Sequence, residues 1–358
     1  MKYLKTIKNF FLSFKNIWFL LMFLLTFFII YILFSYFFTN NTKNQPEEKV
    51  IISTTTMLND LISHLIGNVD INENKYEKIE NIKSFSLMGY GIDPHNYKTK
   101  LSDRKKIKKA DLVFINGLHL EAKMAESLKI LSEEYDMKKF FSVSSDIDRK
   151  DIRIDAETLQ EDPHIWFSID LWQQVLEKIK NIIIYILKKE EDFKKLEYNF
   201  QLYKNELEEL KKYFQKKISE LNKKCNTLML VTAHDAFSYL AYKNIVQFDL
   251  RSIQGISTQT ETSIADINLL ADELARKKVK AIFSESSLSH ESLNSLKEAV
   301  ENKGHYIKIS EKELFSDSLG QDDGSFEVFD DNQNKKYKLS SYIGTFLHNI
   351  HIIETELS

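Results

Sequence analysis

The sequence predicts an α/β protein of two lobes joined by one long rigid helix and preceded by a single transmembrane helix. Three observations carry that reading. Short β-branched runs alternate with helical stretches over most of the chain, the pattern of parallel α/β units. A segment covering 190–223 contains neither Gly nor Pro, and a charge-free apolar run occupies 17–39.

Residues 1–16 carry Lys2, Lys5, Lys8 and Lys15 with no acidic residue, and read as a cytoplasmic basic N-terminus. The run Ile17–Thr39 has 23 residues, enough to cross a bilayer as a helix. It ends in Phe37-Phe38-Thr39-Asn40, a poor cleavage site, whereas a signal peptide has a shorter apolar core of about 7–15 residues. An uncleaved anchor is therefore expected, with everything after it outside the cell membrane. Residues 40–49, containing Pro46, read as a polar tether.

The first lobe is expected over 50–189. It opens with the β-branched strand Val50–Thr55 and a helix around Leu58–Leu65. A strand Asp111–Ile115 ends at Asn116-Gly117, and a helical stretch runs from Leu120 to about Tyr135. The linking helix, 190–223, places Phe193, Leu196, Phe200, Tyr203, Leu207, Leu210, Phe214 and Ile218 on one face. At 1.5 Å per residue it reaches about 50 Å. Its stripe lies between two α/β patterns, which favours a strut between lobes over a coiled coil. The second lobe, 224–358, has apolar strands at Leu228–Thr232, Ile245–Leu250, Ala281–Ser284 and Tyr306–Ile309.

Composition narrows the function. A length of 358 residues suits two domains of roughly 150 each. With 9 Gly and 3 Pro, the fold cannot rest on Gly-rich phosphate loops. The single Cys225 excludes a disulfide framework, a Cys-based zinc finger and an iron–sulfur cluster. After residue 39 the chain carries 45 Lys and Arg against 52 Asp and Glu, net −7. Such a body is a poor match for nucleic acid and a better one for a cation.

Nine histidines are present, and two stand out because proline is so scarce. Two of the three prolines lie in one repeated tripeptide, Asp93-Pro94-His95 and Asp162-Pro163-His164. Proline fixes its own backbone and holds the preceding residue extended, so each His sits on a stiff turn. The Asp two residues before it is placed to cap the turn or to orient the imidazole, as metal ligation requires. His234 follows the apolar strand Leu228–Thr232, and ligands bind at the carboxyl ends of strands in open α/β sheets. Read alone, it is equally a buried structural His. Asp317, after the strand Tyr306–Ile309, reads on spacing alone as a turn cap, and Glu285 is a second strand-end carboxylate. His64, His119, His348 and His351 read as surface or helix-packing residues.

Taken with their neighbours, these residues are familiar. The segments Met88–Tyr97 (MGYGIDPHNY), Ala110–Glu121 (ADLVFINGLHLE), Asp162–Phe167 (DPHIWF), Val231–Phe237 (VTAHDAF), Gln254–Thr258 (QGIST), Ile282–Ser287 (IFSESS) and Leu314–Gly320 (LFSDSLG) occur in this order. Over about residues 50–353 the chain resembles the zinc- and manganese-binding solute-binding proteins of bacterial ABC importers, the TroA-like family. The resemblance implies two Rossmann-like lobes joined by a long backbone helix, with a metal ion between them. It implies His95, His164, His234 and Asp317 as ligands, with Asp93, Asp162, Asn116 and Glu285 supporting them from behind. Three imidazoles and one carboxylate lean toward Zn2+ over Mn2+. Three departures stand out: Cys225 lies far inside the body and cannot carry a lipid anchor, the His-rich loop of many zinc-specific members is missing, and Val69–Lys83 looks longer than usual.

The expected function is an extracytoplasmic, membrane-tethered and monomeric protein that captures Zn2+ or Mn2+ and hands it to an ABC permease and its ATPase, without catalysis. A zinc hydrolase with an open coordination position and Glu285 as general base is one alternative. A surface adhesin with a stabilising metal is another.

Overall fold

The computed structural model describes residues 18–19, 21–36, 48–69, 75–224, 228–242, 249–260, 262–321, 327–329 and 336–357. The body, Lys49–Ser358, is one compact unit, and Met1–Glu48 is another. Residues 21–36 form helix α1, exposed throughout. Residues 17, 20 and 37–39 of the expected anchor lie outside the described residues, and no helix among the described residues is long and apolar enough to cross a membrane. The tether lies almost wholly outside them as well, and Lys49 already belongs to a strand.

The first lobe is a parallel sheet in the order β2-β1-β3-β4: β1 Lys49–Ser53, β2 Ile82–Ser86, β3 Leu112–Ile115 and β4 Phe140–Ser142. Its helices are α2 Thr56–Leu65, α3 Leu101–Lys109, α4 Ala125–Tyr135 and α5 Ile169–Ile183. Alternation along β1 serves both faces: Ile51 joins the main core, and Ile52 packs with Val113, Leu128 and Leu131 on the other side. The β-branched start of the body thus forms the strand its composition foretells, whereas β2 and β4 lack a comparable apolar run.

In the second lobe β5 Met229–His234 pairs in parallel with β6 Asp249–Gln254, and β7 Ala281–Ile282 with β8 Lys308–Ile309. The Phe283 N–H bonds to the Val231 carbonyl at 2.8 Å and joins the two pairs into the order β6-β5-β7-β8. That order repeats the first sheet. The helices here are α7 Ile264–Lys277, α8 Glu291–Asn302 and α9 Tyr342–Leu357, with a small antiparallel hairpin of β9 Glu327–Phe329 and β10 Lys336–Lys338. Of the strand expected at Ile245–Leu250, residues 245–248 lie outside the described residues, while Asp249 and Leu250 belong to β6, which continues to Gln254. The strand at Tyr306–Ile309 shrinks to Lys308–Ile309, the two residues that pair with Ala281 and Ile282.

Between the sheets runs α6, Glu190–Lys224, at 35 residues one residue longer than the apolar stripe foretold. Leu196, Phe200, Tyr203, Leu207, Leu210, Phe214 and Ile218 are buried in the main core, which draws side chains from both lobes. Phe193 departs from expectation and lies exposed in the first turn, beyond the edge of that core. Buried polar residues share the stripe. Asn199 donates to the Leu65 carbonyl at 3.0 Å and the Glu77 carbonyl at 2.8 Å, and accepts the Glu77 N–H at 2.8 Å. Tyr203 donates to Asp60 at 2.6 Å and stacks on His64, while Glu206 accepts Tyr76 at 2.6 Å and pairs with Lys75. The described part of the unusually long Val69–Lys83 stretch therefore closes over the strut, its polar groups matched to those of α6.

Asn199→Ala would remove the partner of the buried Leu65 carbonyl and of the part-buried N–H and carbonyl of Glu77, at roughly 1–3 kcal/mol for a group that water cannot reach. Urea unfolding should show a loss of about 1–3 kcal/mol against wild type. A loss below about 0.5 kcal/mol would mean that this contact does not hold loop to strut.

Candidate metal centre

The loops at the carboxyl ends of the strands meet between the lobes. His95 lies in the loop after β2, and His164 sits just before a 3-10 turn, Ile165–Phe167, that leads into α5. His234 is the last residue of β5, and Asp317 follows β8. All four side chains are buried. Each offers one ligand atom, and the four atoms lie within 4.8 Å of one another.

The individual separations are 3.3 Å between the Nε2 atoms of His95 and His164, 3.5 Å from His164 Nε2 to Asp317 Oδ1, and 3.2 Å from His234 Nε2 to Asp317 Oδ2. A tetrahedron with bonds of about 2.0–2.1 Å has edges of about 3.3–3.4 Å, and these three separations lie close to that value while the whole set stays within 4.8 Å. Both carboxylate oxygens of Asp317 and the Nε2 of His234 are buried without a hydrogen-bond partner. Buried polar atoms rarely remain so unless something else satisfies them, and this donor set fits a metal cation.

The repeated tripeptide behaves differently in its two copies. Asp162 Oδ1 accepts both the backbone N–H of His164 at 3.0 Å and its Nδ1 at 2.7 Å, which leaves the Nε2 lone pair facing the other ligands. Asp93 accepts only the backbone N–H of His95, at 2.8 Å, and turns its other oxygen to Thr258 at 2.7 Å and Asn96 at 2.8 Å. It caps the turn and ties it to the second lobe, and makes no hydrogen bond to the imidazole. Asn116 donates to the Pro163 carbonyl at 3.0 Å and so holds the His164 turn. Glu285 accepts the backbone N–H of His234 at 2.9 Å and stands 2.6 Å from its Nδ1. The role of free general base conflicts with that engagement.

Several participants are not singled out by the sequence, although Glu121 closes one of its motif segments. Glu121, fully buried, accepts from Thr54 at 2.6 Å and from the backbone N–H groups of Asn116 at 2.8 Å and Gly117 at 3.2 Å, shaping the loop that carries Asn116. Arg153 touches both Asp162 and Asp235. Gln259 donates to the His95 carbonyl at 2.9 Å across the lobe boundary. The other histidines follow expectation: His119 and His351 are exposed, His64 stacks on Tyr203, and His348 packs against Phe315.

Electrostatics divide the ligands. Burial lowers the His95 pKa to about 4, with His164 and His234 adding to the effect against Asp317, so this ring is neutral. Burial also disfavours a charged His234, but Glu285 and Asp317 outweigh it and raise its pKa well above the ordinary value. Burial likewise opposes ionisation of Asp317, and the cationic His234 reverses this and holds its pKa well below the usual carboxylate range. The raised His234 stabilises the metal-free fold below about pH 6.5, and the contribution fades as pH rises through its folded value. The depressed Asp317 contributes above about pH 4, and that part is lost as pH falls toward its folded value.

Known proteins share this architecture. The family model for ZnuA, described as zinc-uptake complex component A periplasmic, matches residues 51–355. The manganese-binding lipoprotein MntA of Bacillus subtilis is 36% identical over 279 residues, covering 78% of this chain and 83% of that protein. The zinc-binding protein TroA of Treponema pallidum is 34% identical over 273 residues, covering 76% and 80%. The solved structure of periplasmic zinc-binding TroA superposes with a TM-score of 0.71 at 29% identity, covering 87% of this chain and 99% of that one. The metal ABC transporter substrate-binding lipoprotein SloC of Streptococcus mutans is 31% identical over 250 residues, covering 66% and 74%. The relatives favour neither the hydrolase nor the adhesin alternative.

At pH 7 a metal that takes His234 Nε2 must displace the proton held there. Calorimetry of Zn2+ addition in buffers of different ionisation enthalpy should report release of about one proton per ion. Uptake without proton release would show that His234 is already neutral.

Proposed function

Because the chain belongs to the ZnuA family of periplasmic zinc-uptake components, we propose that it is an extracytoplasmic receptor that captures a divalent metal ion and delivers it to an ABC permease. Members of this family are metal-binding components of importers and not enzymes. His95, His164, His234 and Asp317 hold the ion. The observation that carries this reading is the convergence of four buried donor atoms, drawn from widely separated positions, within 4.8 Å of one another. Four protein ligands close a tetrahedral sphere and leave no position for an activated water. One chain supplies all four, which suits a monomer.

A manganese-binding and a zinc-binding relative are about equally similar, so the preference is read from the donor set. A donor set of three imidazoles with one carboxylate favours Zn2+, and the Irving–Williams order places zinc above manganese at nitrogen-rich sites. Asp162, Asn116 and Glu285 support His164 and His234, and Asp93 supports His95 through its turn. The apolar run 17–39 serves as the membrane anchor, supported by its length and by the lysines before it. With α6 packed in a core shared by both lobes, release follows a small loosening of one lobe's pair of ligands and not a wide hinge swing.

His164→Ala removes one of four ligands and leaves a cavity that water can enter. Zinc affinity, measured by competition with a chelator, should fall at least ~100-fold while the circular dichroism spectrum stays that of wild type. Retention of nanomolar binding would refute the ligand set.

A further inference from the structure

Arg153 has no place in the ligand set, yet it lies directly behind it. Its Nη1 donates to Asp162 Oδ2 at 2.9 Å, and Asp162 in turn holds His164 Nδ1. Its Nη2 reaches Asp235 Oδ2 at 3.0 Å, and Asp235 is the residue after His234. One guanidinium therefore joins the turn carrying a first-lobe ligand to the turn carrying a second-lobe ligand. The surroundings reinforce the link. The Arg153 N–H donates to the Tyr239 hydroxyl at 3.0 Å, Tyr239 donates to the Asp162 carbonyl at 3.0 Å, and the Asp162 N–H returns to the Arg153 carbonyl at 2.9 Å.

We propose that Arg153 is a positioning residue for metal retention, locking the His164 and His234 turns together across the lobe boundary and so setting how slowly the ion leaves. The proposal rests on the four-ligand reading above and adds a kinetic control to it. Arginine suits this position because its planar fork satisfies two carboxylates at once, which a single ammonium does less well. The two arms differ in environment. Asp162 is wholly buried, whereas the side chains of Arg153 and Asp235 are 20% and 16% exposed. The Asp235 arm borders an interlobe cleft of about 630 Å³ that also meets Asp155, Ser238 and Arg251. Dissolved ions therefore reach the cross-lobe arm and not the Asp162 arm, and salt should weaken the first selectively. Were the guanidinium merely stabilising the fold, its removal would lower the unfolding temperature without changing the rate at which the folded protein lets go of metal.

The test uses the full chain loaded with Co2+, whose tetrahedral absorption reports the site, and follows release after addition of excess chelator. Asp235→Asn and Arg153→Met should release the ion about 10- to 100-fold faster than wild type with the spectrum of the loaded state unchanged. Arg153→Lys should fall between them and wild type. Raising sodium chloride from about 0.05 M to about 0.5 M should speed wild-type release and leave Asp235→Asn unaffected. Should Arg153→Met fail to fold, Asp235→Asn still decides, since it leaves the Arg153–Asp162 contact in place. Wild-type release rates and an unaltered salt response in Asp235→Asn would overturn the proposal. Absence of the tetrahedral spectrum in wild type would instead refute the four-ligand reading, and this inference with it.

Discussion

Three imidazoles and a carboxylate are buried with their ligand atoms within 4.8 Å of one another, an arrangement that burial by itself disfavours. Positive charge offsets that arrangement: Glu285 and Asp317 raise the His234 pKa and so favour a proton there, and a bound cation of the proposed kind would supply the same compensation. The rest of the body is arranged to keep that uncomfortable convergence intact. Asp162 and Glu285 stand behind the rings of His164 and His234, and Asp93 holds the backbone turn of His95.

The strut serves the same constraint at longer range. Helix α6 is buried along one face in a core drawn from both halves of the body, so the lobes share packed side chains as well as a tether. Close packing resists continuous deformation, which keeps donors from the two lobes within 4.8 Å of one another. Hydrogen bonds across the boundary, from Thr258 to Asp93, Gln259 to His95 and the Gly91 N–H to Ser318, add local stitches beside the ligands.

Much of this is legible in the order of residues. The strut betrays itself by the three- and four-residue spacing of its apolar side chains, and β1, β3 and β5 by short β-branched runs. His95 and His164 are visible because proline is rare here and occurs twice in one pattern. Asp317 is ambiguous, since a strand-end Asp and a turn cap look alike without neighbours. Strands β2 and β4 escape notice because their side chains are short, polar or partly exposed, and β7 and β8 are shorter than their apolar runs.

Local sequence determined what neighbouring residues decide between themselves: the long amphipathic helix, the apolar strands, the rigid His turns, and, through the resemblance, the family. Tertiary structure alone decided that Asp162 orients its imidazole while Asp93 reaches for the other lobe. It also decided that Asn199 of α6 matches the backbone of a distant loop, and that Arg153 meets two carboxylates nine and 82 residues away. Periodicity and backbone stiffness act over a few residues and are written in composition. A hydrogen bond between groups far apart in the chain depends on where the whole core places them.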